Sequence, residues 1–315
     1  MTAATDVVSP IAARTADWRG PVWIAWRQHR AVVGGTLLWA LVLGAAAVWT
    51  TVRLDAVATC EPACSSADRD AVTSLVHAGE VIIPLVAALP AVLALFWAAP
   101  MLAREYEQRT HLLAWTQDLT PRRWLAAKAL FLAAAAVPVV LVAGVPTARL
   151  ADRMGSVNPS GNNGFEAGSF DAAPAMLLAH AATALAIGLA ASALLRRTVA
   201  AMAATVVLCG LLWGAAVLAR PHLLDPQSVQ VPFTGYGESE PEQLTGAWVL
   251  DWLPVDATGT VLPAYQGEPA MIRYLYLGAE RLTELRLWEA GLSLAVAALA
   301  LPAVIYGMAR VRSAP

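Results

Sequence analysis

Six stretches of about 20 apolar residues dominate this chain, at about 31–52, 81–103, 126–148, 173–195, 198–219 and 289–308. No Asp, Glu, Lys or Arg falls in the interior of any of them. At 1.5 Å per residue each reaches roughly 30–35 Å, the thickness of a hydrocarbon core of about 30 Å. Backbone groups in lipid need internal hydrogen-bond partners, so the spans must be helical. The expected fold class is therefore all-α: a polytopic integral membrane protein with about six transmembrane helices. Pro84, Pro90, Pro138 and Pro302 fall inside blocks, where membrane helices tolerate them as kinks. The first block exceeds the 7–15 residues of a signal-peptide core, and reads as an uncleaved span.

Composition agrees and excludes other classes. The chain is 58% hydrophobic and 14% charged, with a mean hydropathy of +0.57, against about 25% charged residues in soluble domains. A net charge of −2 and the absence of any Lys/Arg run argue against nucleic acid. Twenty Arg against one Lys, with abundant Ala and Val, suggest a GC-rich bacterial genome and hence a bacterial plasma membrane.

Flanking charge sets the expected orientation. With both termini in the cytoplasm, 13 of the 21 basic residues lie inside, in four short segments: 1–30, 104–128, 196–197 and 310–312. The five acids on that side leave it at +8, and the outer side at −10. Trp18, Trp23, Trp26, Trp49, Trp97 and Trp124 sit near block ends, as interfacial rings do. The organisation follows. Residues 1–30 form a cytoplasmic lead with an N-terminal interfacial helix over 14–30, and 31–219 hold spans one to five. Residues 220–288 form an extracytoplasmic loop or subdomain, and 289–315 form span six and the tail. Within 220–288, the Leu and charge spacing of Arg273–Trp288 predicts a helix leading into span six.

Chemistry is conspicuous by its absence. Lys128, the only lysine, is flanked by alanines, so no Walker A loop exists, and no HExxH or GxSxG motif occurs. Neither catalytic residues nor a metal set is expected, and the chain is read as a non-enzyme without cofactor. Glu80 and Glu289 read as outer span ends, and His180, within span four, as a packed histidine. Cys60 and Cys64 share an outer segment, where an i, i+4 pair can form a local disulfide if the backbone is not helical. Gly210 and Gly214 make a GxxxG helix-packing pair in span five.

The informative stretch follows span two: Arg104-Glu105-Tyr106-Glu107-Gln108-Arg109-Thr110, then Ala114-Trp115-Thr116-Gln117, then Thr120-Pro121-Arg122-Arg123-Trp124 and Lys128. A helix starting near Arg104 would carry Glu105 and Glu107 in its first turn, as the helix dipole favours. The order Glu-x-Glu-x-x-Thr, Thr-Pro-x-Arg, Lys resembles the loop after span two in permeases of type-2 ATP-binding-cassette (ABC) exporters. Trp115–Gln117, Arg122-Arg123-Trp124 and a leading Trp26-Arg27-Gln28-His29 resemble, more narrowly, actinobacterial ABC permease-like proteins. That family usually carries Gly where Arg109 stands.

The resemblance implies a division of labour. The loop docks as a coupling helix on a separate ATP-binding subunit, which binds the ATP, and two permease copies or related chains complete the transporter. By residue match the contacts would be Glu105, Glu107, Thr110, Trp115, Thr116, Gln117, Arg122 and Arg123. The alternative reading is a non-transporting sensor or immunity-type protein acting through its large outer loop. That alternative needs a partner bound by the outer loop and no ATP-binding subunit; in both readings membrane lipids surround the chain and no nucleic acid is expected.

Overall fold

The computed structural model describes residues 19–58, 65–110, 120–157, 164–233, 241, 244–256, 258–262 and 270–312. Cys60 and Cys64 lie outside the described residues, as do Trp115, Thr116 and Gln117. Six helical spans carry the fold, each long and apolar enough to cross a membrane. Span one is Arg19–Ala58, span three Pro121–Val157, span four Pro174–Leu195, span five Thr198–Ala219 and span six Leu282–Arg312. Span two runs from Ser66 to Glu107 in several helical pieces.

The helices outrun most of the apolar blocks, because lipid stops at the headgroups while backbone hydrogen bonding does not. Span one shows this most clearly. The described part of the expected interfacial helix, from Arg19 onward, is not a separate element; it forms the first turns of the span itself. Pro21 falls in the first turn, where proline is tolerated, and no proline follows before Ala58. At 1.5 Å per residue the 40-residue helix is about 60 Å long, twice the hydrocarbon core.

Span four is the hub. Most of its side chains are buried, with span six lying along it and spans two, three and five against other faces. A Cβ on Gly307 of span six would fall 2.8 Å from Ala193 O, so glycine permits that close approach. Thr183 Oγ1 donates to Ser293 O at 2.7 Å, a second tie between the same two helices. Span one packs mainly along span three. Span five buries only Ala201, Thr205 and Cys209 among its described side chains. Among the described residues, Gly210 and Gly214 have nothing within reach of an added Cβ, so this pair packs against no described helix.

A small sheet lies among the described residues of 220–288. Strands β1 (Gln227–Pro232), β2 (Trp248–Val255) and β3 (Met271–Leu277) form an antiparallel sheet in the order β1-β3-β2. The helix expected over Arg273–Trp288 is thus corrected: its first five residues belong to the central strand, and span six starts at Leu282. The run Ile272–Leu277 is rich in residues that fit a pleated surface, with Tyr274 opposite Val229 on one side and Trp252 on the other. Gly278, in extended backbone, separates strand from helix. Leu277, Leu224, Phe165, Phe170, Met176 and Leu285 form one apolar cluster, which seats the sheet on the ends of spans four and six.

Candidate functional site

Glu105 and Glu107 do not open a new helix after span two. Ala99–Glu107 is the closing piece of span two, so Glu105 and Glu107 occupy a last turn, and the first-turn placement is overturned. A carboxylate near a helix C-terminus opposes that helix's dipole. Both acids find compensation elsewhere. Glu105 pairs with Lys128 of span three at 2.5 Å, with the lysine 4% exposed and its ammonium 5.0 Å from the Trp124 ring centroid. Glu107 reaches the start of span five, accepting from Thr198 N at 3.0 Å and from Thr198 Oγ1 at 2.6 Å. It therefore serves the positive end of a neighbouring helix.

The backbone then reverses. Gln108 N donates to Arg104 O, and Arg109 adopts a left-handed φ of 56°. This is the position where the resembled family usually has glycine, the residue that adopts a left-handed φ without steric cost. Arg109→Gly is expected to raise stability by about 1 kcal/mol, the cost of left-handed backbone for a residue with a Cβ. Chemical unfolding in detergent measures this, and a loss of stability would show that the Arg109 side chain contributes more than its backbone costs.

Span three opens on Thr120, whose Oγ1 accepts from Arg123 N at 3.4 Å, with Pro121 at the first helical position. Tyr106 and Trp124 meet edge to face at 6.5 Å, closing the joint between spans two and three. Gln108, Arg109, Thr110 and Arg122 are exposed. The leading Trp-Arg-Gln-His motif converges here as well: Gln28 and His29 share a cleft of about 220 Å³ with Arg104, Glu105, Gln108 and Thr110. Trp26 and His29 both lie against Phe131 of span three. Two distant sequence motifs thus form one surface at one end of the bundle.

The opposite end holds a network that sequence reasoning missed. Arg220, just after span five and 3% exposed, donates from Nε and Nη2 to the two carboxylate oxygens of Glu289 at 2.7 and 2.9 Å. Its Nη2 also contacts Asp171 Oδ1, and its guanidinium lies 4.1 Å from the Phe170 ring centroid. Glu289 is not an exposed span end; it is 2% exposed and lies seven residues beyond the first residue of its helix. His180, 3% exposed, is packed beside this network. Its Nε2 lies 3.6 Å from Glu289 Oε1, outside hydrogen-bond range, and its ring faces Trp213 at 5.9 Å. Burial pushes the Asp171 carboxyl above its ordinary range, against the pull of Arg220 and His180.

Asp171, His180 and Glu289 present ligand atoms within 4.8 Å of one another, a spacing that would suit a cation. Arg220 already fills that role, its fork bridging both carboxylates, so the set is a completed ion-pair network. The available signal was Arg220 itself, a basic residue directly behind an apolar block on the acidic side of the chain.

No curated protein and no solved structure matches the chain. The family model described as ABC-2 membrane transporter related matches residues 30–220, from the first span to the end of the fifth, and the chain belongs to that family of ABC transporter permeases.

Proposed function

We propose that this chain is the membrane-spanning subunit of an ABC exporter in a bacterial plasma membrane, driven by a separate ATP-binding subunit that docks on the turn after span two. The observation that carries the reading is the double anchorage of that turn, through Glu105 to Lys128 of span three and through Glu107 to Thr198 of span five. A push on the exposed residues is thereby delivered to three spans at once. On this reading Glu105 and Glu107 hold the turn, while Thr110, Arg122, Arg123 and Trp115–Gln117 meet the ATPase. The partner holds the ATP, and this chain performs no hydrolysis. Outward direction rests on the resemblance of the loop to exporter permeases.

The same end collects the basic segments 19–30, 104–128, 196–197 and 310–312, which supports a cytoplasmic placement for it and for both termini. The open face of span five, with exposed Gly210 and Gly214, supports a second permease copy or a related chain there, since small residues let helices approach closely in lipid.

Docking is tested by reversing surface charge without touching the ion pairs. Arg122→Glu combined with Thr110→Glu is expected to lower co-purification of the ATP-binding subunit on the order of tenfold, about 1.4 kcal/mol, with helical content unchanged. Undiminished co-purification would remove the docking assignment. Orientation is read from Gln108→Cys in a background of C60S, C64S and C209A. Labelling of intact cells by a membrane-impermeant maleimide would place the turn outside and end the proposal.

A further inference from the structure

Span two is interrupted where it bears on span four. Its helix Ser66–Ala87 gives way at Ala88, just ahead of Pro90, to a short helix Leu89–Leu93. A π-helical turn, Ala94–Ala98, follows before the closing piece Ala99–Glu107. Across this stretch Ala99 N donates to Ala94 O, one residue further back than in an α-helix. Pro100 has no N–H to give. The internal ladder is therefore thinnest between 94 and 100, a little over two turns before the reversal at Gln108 and Arg109. Widened turns of this kind are recognised points of bending in helices.

Span four meets this joint with two residues one turn apart on the same face. At Gly188 an added Cβ would lie 2.7 Å from Ala98 Cβ, 3.1 Å from Ala94 O and 3.2 Å from Ala99 N, so the backbones touch. At Ser192, 0% exposed, Oγ accepts from Leu102 N at 3.1 Å and from Ala103 N at 2.7 Å. The hydroxyl lies beside a run of alanines and binds two amides of the closing piece just beyond the joint. On the other side, Trp97 Nε1 donates to Thr36 Oγ1 of span one at 3.2 Å, fixing the π turn itself.

We propose that Ser192 is a positioning residue for coupling: its hydroxyl sets the angle of the 99–107 half-helix about the joint, and so the place where the ATPase-facing turn is presented. This rests on the function proposed above. Gly188 supplies the close contact about which the half-helix pivots, and the Ser192 hydroxyl supplies a directional bond that selects one setting. Because an oxygen with two lone pairs holds both amides, the half-helix is gripped near its base while its far end remains available to the partner.

Ser192→Ala removes the acceptor, and Ser192→Cys keeps nearly the same volume with a much weaker acceptor. In the purified full-length chain both are expected to speed amide exchange within 99–107 on the order of tenfold, leaving spans three and six unchanged. With the ATP-binding subunit present, both are expected to retain co-purification but lose most of the coupled response of ATP turnover. Wild-type exchange in the Cys variant would show that packing matters and the hydrogen bonds do not. Acceleration spread evenly over all spans would mean general destabilisation. Local acceleration with full coupling would remove the positioning role. Each of these three results overturns the proposal. If no ATPase binds even the wild-type chain, the function proposed above fails, and the coupling role of Ser192 fails with it. The exchange result then reports only whether the joint is held by that hydroxyl.

Discussion

Arg220→Met will cost the folded protein about 3–5 kcal/mol, read as a lower midpoint in denaturant titration of the detergent-solubilised chain. Removing the guanidinium leaves Glu289, 2% exposed, as a buried carboxylate that has lost both hydrogen bonds given by its cation. Uncompensated buried charge is the expensive part, more than the attraction forfeited. Asp171, with a side chain 21% exposed, can recover water and will suffer less. The double variant Arg220→Met with Glu289→Met is therefore expected to be more stable than Arg220→Met alone, a coupling that a double-mutant cycle isolates. Arg220→Lys should fall between, because an ammonium keeps the charge but lacks the planar fork that serves both oxygens. A cost below about 1 kcal/mol for Arg220→Met would mean that water reaches the network and that it behaves as a surface pair.

The network also explains how the three-stranded sheet is held. Phe170, under the Arg220 guanidinium, belongs to the cluster that seats Leu277 of the central strand. Arg286 adds a second cation over Phe170 and donates to the carbonyls of Gly164 and Ser169. The end of span five, the start of span six and the short helix Ala167–Asp171 are thus tied by charge around one aromatic ring. The subdomain's position depends on that knot as well as on its own strand pairing.

Why the six spans were readable while this knot was not is a matter of range. Apolar blocks report on burial in lipid one residue at a time, and spans four and five match their blocks almost residue for residue. Arg220 and Glu289, by contrast, are 69 positions apart, and Arg220 and Asp171 49. No local pattern announces such partners. Glu289 misled for a further reason: a charge at the edge of an apolar block reads as a boundary, and only the helix reaching back to Leu282 makes it interior. The polar turn was misjudged in the same way. Glu105 and Glu107 look like the start of a new helix when only the dipole of their own segment is weighed. Their true compensation comes from Lys128 and from the start of span five, which the sequence places 23 and 91 residues away. The location of the polar surface was legible, because Trp26–His29 and Glu105–Thr110 each stand out as polar motifs beside apolar blocks and the fold brings residues of both into one cleft.

Glu105→Gln should produce the largest effect at the opposite end, about 3–5 kcal/mol, with a consequence that the Arg220 variants lack. The Lys128 ammonium would keep the Trp124 ring face but lose its carboxylate, and a cation–π contact contributes only about 0.5–2 kcal/mol. Since Lys128 is 4% exposed, the ammonium cannot regain a full hydration shell without pulling the end of span two away from span three. That movement would carry the proposed docking turn with it, so loss of stability and loss of ATPase co-purification should appear together. Combining Glu105→Gln with Lys128→Met removes the stranded charge and is expected to restore much of the stability. It is not expected to restore coupling, because the strut between spans two and three is still missing. Stability recovered together with full co-purification would show that the pair serves folding alone. Stability recovered without it would show that the turn must be braced, and not merely folded, to meet its partner.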